Sequence, residues 1–139
     1  MTSPTAPTPD TTDAPNQAAD DTARRTALQI VGAALDKKAV NAQIVDVRGK
    51  VDYCDYVVVM SGRSDRQVTA ITKGIDRDLR EKHGVRPLGV EGLAQARWVL
   101  MDFGDVIVHV FHDEVRGYYD LEALWMDAPR VPYDAAPAD

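Results

Sequence analysis

The chain has a single cysteine, no excess of positive charge and no apolar run approaching the ~20 residues that a membrane-spanning helix needs. Each shortage excludes something. One cysteine, Cys54, forbids an internal disulfide and any multi-cysteine metal site. Its neighbours Tyr53, Asp55 and Tyr56 include no cation or histidine that would favour a thiolate, so a packed small hydrophobe is expected rather than a nucleophile. The start of the chain lacks the basic and apolar regions of a signal peptide, and the expectation is a soluble, cytoplasmic protein with no membrane attachment.

The formal charge is -6, but its distribution matters more than its sum. Asp10, Asp13, Asp20, Asp21, Asp134 and Asp139 lie in the two terminal segments, where there is no Lys or Arg. Of the 22 acidic residues, the other 16 are balanced by all 16 basic ones. The body of the chain is therefore neutral, and direct phosphate-driven binding of nucleic acid has little electrostatic support.

A length of 139 residues suits one domain. Residues 1–21 are rich in Thr, Pro, Ala and Asp and are expected to be a disordered tail; 22–130 form the domain, and 131–139 a flexible C-terminal tail. From Thr22, a candidate cap, Ala27, Leu28, Val31, Ala34 and Leu35 repeat at helical spacing to about Lys38. Strands are predicted over Gln43–Arg48 and Tyr56–Met60. Ser64 and Gln67 then fit a capping box ahead of a helix through Val68, Ile71, Ile75 and Leu79, with Gly84 as its stop. Val85–Leu88 reads as a short edge strand, 89–92 as a loop, and 113–118 and 120–125 as short helical segments. The chain is expected to fray from Pro129 onward. The fold class is α/β, a mixed sheet of about five strands flanked by helices.

Residues 96–111, ARWVLMDFGDVIVHVF, are two strand-like runs around a tight turn. Taking Phe103-Gly104 as a two-residue loop sets Asp102 opposite Asp105, Leu100 opposite Ile107 and Trp98 opposite His109. One face is then wholly aliphatic: Val99, Met101, Val106, Val108 and Val110. The other carries Trp98, Leu100, Ile107, His109 and Phe111 beside two aspartates, a docking surface or a second core. A slip of one residue would exchange the faces.

Other chemistry is thinner. Asp102-Phe103-Gly104 matches the kinase metal-binding tripeptide, but the glycine-rich loop, strand lysine and catalytic loop are missing, so it reads as a turn. The pairs Asp52/Asp55 and Asp102/Asp105 offer oxygen ligands to Mg²⁺, yet aspartates at loop starts are ordinarily solvated. His109 and His112 point to opposite faces of one strand and cannot share a metal. No cofactor is implied. Arg63 and Arg66 at the start of the second helix are read as solvated charges around a capped terminus rather than an anion site.

Taken in order, DVRGK (46–50), DYVVVMSGRSDRQV (55–68), PLGVEG (87–92), RWVLMDFGDVIVHVFHDEVR (97–116) and YDLEALW (119–125) resemble the ribosomal silencing factor (Iojap) family over roughly residues 22–130. The resemblance implies a nucleotidyltransferase-like fold without established transferase activity, hence no enzyme. It also implies a translational repressor acting under nutrient limitation, which binds large-subunit ribosomal protein fourteen at the intersubunit face and obstructs joining of the small subunit. On the residues themselves, Trp98 is the expected anchor, with Leu100, Ile107 and His109 beside it and Asp102 and Glu91 as a polar rim toward a basic partner. The alternatives are a nucleotidyltransferase-type enzyme and a homodimeric module using the same face. The long acidic N-terminal segment departs from the family pattern.

Overall fold

The computed structural model describes residues 9–134, with side chains from Asp21 on. In chain order it comprises α1 (Pro9–Asp36), β1 (Val40–Asp46), β2 (Tyr56–Gly62), α2 (Asp65–His83), β3 (Gly89–Glu91), β4 (Trp98–Asp102), β5 (Val106–His112), α3 (Asp113–Tyr119) and a 3-10 turn, Leu121–Trp125. The strands form one five-stranded sheet in the order β1-β2-β5-β4-β3. Only β2 and β5 run parallel; the other pairs are antiparallel. The expected α/β class with a mixed sheet is what the chain adopts.

Two layers of helix lie on unequal faces. On the first, Ala27, Ile30 and Val31 of α1 and Val68, Ile71, Ile75 and Leu79 of α2 close over Val58, Met60, Val99, Met101, Val108 and Val110, forming the main core. Burying each such aliphatic side chain contributes about 1.5–3 kcal/mol, so this face dominates stability. On the second, Trp125 and Ala128 pack with Val45, Val47, Val57, Val59 and Phe111 in a smaller cluster. β2 is buried along its whole length because it is covered from both sides.

Local chemistry sets the ends of α2. The Ser64 side chain accepts from the N–H of Gln67 at 3.1 Å, while the Gln67 side-chain oxygen accepts from the N–H of Arg63 at 2.6 Å. This is the expected reciprocal cap, displaced by one residue. The Gln67 amide also donates to the Lys38 carbonyl at 2.9 Å, tying the start of α2 to the end of α1. Gly84 ends the helix at φ 68°, the left-handed geometry expected of it.

Four expectations change. The first helix begins at Pro9, not at a Thr22 cap, and residues 1–8 of the expected N-terminal tail lie outside the described region. Proline is tolerated in a first helical turn, whose N–H groups have no intrahelical partner, and the alanines that follow favour helix. The edge strand forms at 89–91 rather than 85–88, after Pro87, which lacks the N–H a ladder needs. The chain does not fray at Pro129: its carbonyl accepts from Asp46 N–H, Val131 N–H donates to Ile44, and the Tyr133 hydroxyl donates to the Ala42 carbonyl at 2.5 Å. This segment covers the outer edge of β1, and Val131 is buried. Residues 135–139 lie outside the described region.

The fourth change is the hairpin register. Asp102 pairs with Ile107, Leu100 with His109 and Trp98 with Phe111. Phe103 N–H donates to Val106, so the loop is Gly104-Asp105, with Gly104 at φ 88° where a two-residue turn needs positive φ. Each partner moves by two residues relative to the expected pairing. A shift of two preserves the side-chain alternation, so the division into an aliphatic face and an aromatic face stands.

Candidate functional site: the half-covered sheet face

Rows of residues in register across the sheet describe the second face. Glu91, Leu100, His109, Val59 and Gln43 form one row, running from β3 to β1. Glu91 is exposed and Leu100 half-buried, whereas His109 is 8% exposed and Val59 fully buried. A neighbouring row runs Gly89, Asp102, Ile107, Val57, Val45 with the same gradient. Coverage therefore stops between β5 and β4. The part over β1, β2 and β5 is roofed by Trp125, Ala128, Val115 and Leu121; the part over β4 and β3 is open.

Trp98 stands on that boundary. The centroid of its ring lies 4.8 Å from that of Phe111 and 4.9 Å from that of Tyr119. Its Nε1–H donates to Nδ1 of His109 at 3.0 Å, a diagonal contact that the observed register places within reach of a long aromatic side chain. Burial pushes the His109 imidazole down to about 4, so it is neutral at neutral pH. Behind Trp98 the chain turns tightly: Gly92 has φ 88°, and a Cβ there would lie 2.2 Å from the Trp98 carbonyl oxygen. Only glycine fits.

Two hollows share Trp98 as a wall. The larger, of about 610 Å³, lies between the 92–97 turn and α3 and is lined by Gly92, Gln95, Arg97, Glu114, Val115, Tyr118 and Tyr119 as well. The smaller, about 270 Å³, is bounded by Glu91, Gly92 and Leu100. Tyr118 is 82% exposed and Tyr119 53%, so the aromatic surface continues from the sheet onto α3. Sequence reasoning missed these two tyrosines; a consecutive aromatic pair at the end of a seven-residue helix, which cannot bury both, was the available signal.

The expected site residues are thus brought together, though not all as equals. Trp98, Leu100, Glu91 and Ile107 contribute surface. Asp102 is partly committed to the turn, since its Oδ1 accepts from Gly104 N–H at 2.8 Å. His109 is mostly beneath the surface and reaches it through Trp98. His112, as expected, belongs to the next helix, where its Nδ1 accepts from Glu114 N–H at 3.3 Å.

The C-terminal roof is held by one buried cation. Arg116, 8% exposed, donates to the Asn41 carbonyl at 2.7 Å, Ser61 Oγ at 3.0 Å and Glu122 Oε2 at 2.8 Å, linking α3, the end of β2, β1 and the 3-10 turn. Cys54 is buried, and burial together with the charges of Asp55, Asp102 and Asp105 pushes its thiol up to about 11, the opposite of a reactive cysteine. Among the described residues, no three His, Cys, Asp or Glu side chains are grouped to hold a metal, and no helix is long and apolar enough to cross a membrane.

Comparison with known proteins points one way. The family model described as ribosomal silencing factor during starvation matches residues 20–139. A Bacillus subtilis protein named ribosomal silencing factor RsfS is 43% identical over 112 residues, 80% of this chain and 94% of its own length. The chloroplastic protein Iojap of Zea mays is 31% identical over 110 residues, 78% of this chain and 47% of its own. A crystal structure of a Chromobacterium violaceum protein superposes with a TM-score of 0.72 at 35% identity, covering 82% of this chain and 95% of that one.

Proposed function

The chain belongs to the ribosomal silencing factor family, and from that premise we propose that it represses translation by occupying a surface rather than by catalysis. The open strip carrying Trp98, Leu100, Ile107, Asp102 and Glu91, with His109 beneath, docks on the large ribosomal subunit through ribosomal protein fourteen at the intersubunit face. The bound domain then stands where the small subunit must join. Nutrient limitation is the condition under which this silencing acts, and the cytoplasm is where it occurs. When no ribosome is bound, a second copy of the chain covers the same strip.

The observation that carries this reading is the interrupted roof: an aromatic anchor is held half-buried at the edge of a closed core, beside an apolar strip that nothing in the described chain covers. Tryptophan is among the residue types that most often dominate interface energetics, and Trp98 is only half-buried within its own chain. Glu91 and Asp102 place negative charge at the rim, which suits a basic ribosomal protein better than bare RNA.

Trp98→Ala and Glu91→Lys test it. Binding to purified large subunits is measured by sedimentation, and folding by circular dichroism and melting. Trp98→Ala is expected to weaken binding by about 30-fold, corresponding to the ~2 kcal/mol of a central anchor. Glu91→Lys, exposed and remote from the core, is expected to weaken it about threefold or more without altering the melt. Normal binding by both variants would place the interface elsewhere.

A further inference from the structure

The indole of Trp98 has one polar atom, and it is a donor only. Its partner, Nδ1 of His109 at 3.0 Å, must therefore be unprotonated, which puts the imidazole proton on Nε2. The pairing is a tautomer choice as well as a contact.

The imidazole is itself immobilised. His109 lies between Leu100 on β4 and Val59 on β2 in register, with Ile107 and Phe111 two residues away on the same face of β5. The Phe111 ring stacks against it at 18° and 6.1 Å. Trp98 has less support. Phe111 and Tyr119 meet its indole at 4.8 and 4.9 Å with tilts of 31° and 45°, apolar contacts that do not themselves specify where Nε1–H points. Only the hydrogen bond distinguishes the two edges: a flipped ring would aim Nε1–H away from His109 and put a different edge on the surface.

We propose that His109 is a positioning residue for the docking anchor: its Nδ1 fixes the Trp98 indole in a single orientation before any partner arrives. This rests on the docking role of Trp98 set out above. The benefit is preorganisation, because a side chain already held in its bound geometry loses less freedom on association. A histidine that was merely a filler of the second core would confer stability without affecting which edge of the indole faces outward.

The test uses the full chain labelled with ¹⁵N, in which Trp98→Phe assigns one of the two indole signals. In the wild type, a scalar coupling between Trp98 Nε1 and His109 Nδ1 is expected across the bond, together with a downfield, slowly exchanging indole proton. His109→Asn places a carbonyl oxygen near the position of Nδ1; it is expected to lose the nitrogen–nitrogen coupling, because the acceptor is now oxygen, but to keep the downfield, slowly exchanging indole proton and to bind large subunits within about twofold of wild type. His109→Leu is expected to lose the signature and to weaken large-subunit binding by roughly three- to tenfold, the cost of ordering one large side chain. Absence of the coupling in the wild type, or an unchanged indole signal in His109→Leu, overturns the proposal. Equal losses of affinity in the Asn and Leu variants, in proportion to their stabilities, also overturn it, leaving His109 a core residue. If the signature follows the acceptor as stated while Trp98→Ala binds large subunits normally, the docking assignment has failed and the bond itself stands.

Discussion

Acidification from pH 7 toward 4 should remove stability traceable to one imidazole. An unfolded histidine titrates near 6.5, whereas burial holds folded His109 at about 4. Between those values the unfolded chain binds a proton that the folded chain excludes. Stability therefore rises with pH across this window: the contribution is complete above 6.5, declines as pH falls, and is exhausted below about 4. At about 1.4 kcal/mol per unit, a gap of roughly 2.5 units amounts to about 3 kcal/mol. That is a large share of the ~5–15 kcal/mol of a typical domain, so it must be visible in a urea midpoint. Asp46 does not mimic it. Its carboxyl, held below the ordinary 3.8 by hydrogen bonds from Arg48, contributes stability that is intact above 3.8 and lost only as pH falls further. The assay is urea unfolding of wild type and His109→Asn at several values between pH 7.5 and 4.5. Wild type should lose most of the 3 kcal/mol over that range, and the variant should be flatter by that amount. Equal slopes in the two proteins would refute the assignment of a neutral, buried His109.

Two further substitutions test how the site is built. Gly92→Ala forces a Cβ to 2.2 Å from the Trp98 carbonyl at φ 88°, and should cost at least about 2 kcal/mol by urea denaturation; Gly89→Ala, where a Cβ meets nothing within 4 Å, should cost under about 1 kcal/mol. Arg116→Leu strips Glu122 of its guanidinium partner in a largely buried position where Oε1 already lacks one. A loss of about 3–5 kcal/mol is expected, with a substantial part recovered in Arg116→Leu/Glu122→Leu, because removing both charges leaves none unpaired. Full stability in the single variant would show that the roof is not held by this pair.

What the sequence disclosed depended on the range of the interaction. The α2 cap was legible because Ser64, Gln67 and Gly84 act within a few residues of where they stand. The aliphatic and aromatic faces of the hairpin were legible because alternation is a property of each strand alone. The pairing was misread although turn chemistry carried it: a Phe103-Gly104 loop asks a bulky residue for positive φ, whereas Gly104-Asp105 puts glycine at that position, where φ is 88°. The faces survived because the two loop choices differ by a two-residue shift in pairing. Arg116 carried no signal at all: its partners Asn41 and Ser61 are 75 and 55 residues away, and only the folded sheet brings them to one place. The nearness of Trp98 and His109 was legible, since both stand on the aromatic face of the hairpin, but the direct pairing expected of them is a diagonal contact in the observed register.

The open strip follows from the dimensions of the elements. Five strands spaced ~4.8 Å apart span about 19 Å between the outermost axes, and an α-helix with its side chains is ~10–12 Å across. On the first face two long helices, α1 and α2, supply enough width to bury the residues of β2, β5 and β4 that face them, and only Val90 on the edge strand β3 stays exposed there. On the second face the chain offers only seven residues of α3 and a five-residue 3-10 turn. Arg116 draws these toward β1 and β2 through Asn41 and Ser61, which places the shortfall over β4 and β3. A polar strip there would need no further cover. Trp98, Leu100 and Ile107 make it apolar instead, and the indole, packed against Phe111 and Tyr119, is still only half-buried where the roof ends. Complete burial of that ring requires a surface from outside the described chain, which is why the same short C-terminal roof that closes the second core also leaves the docking strip.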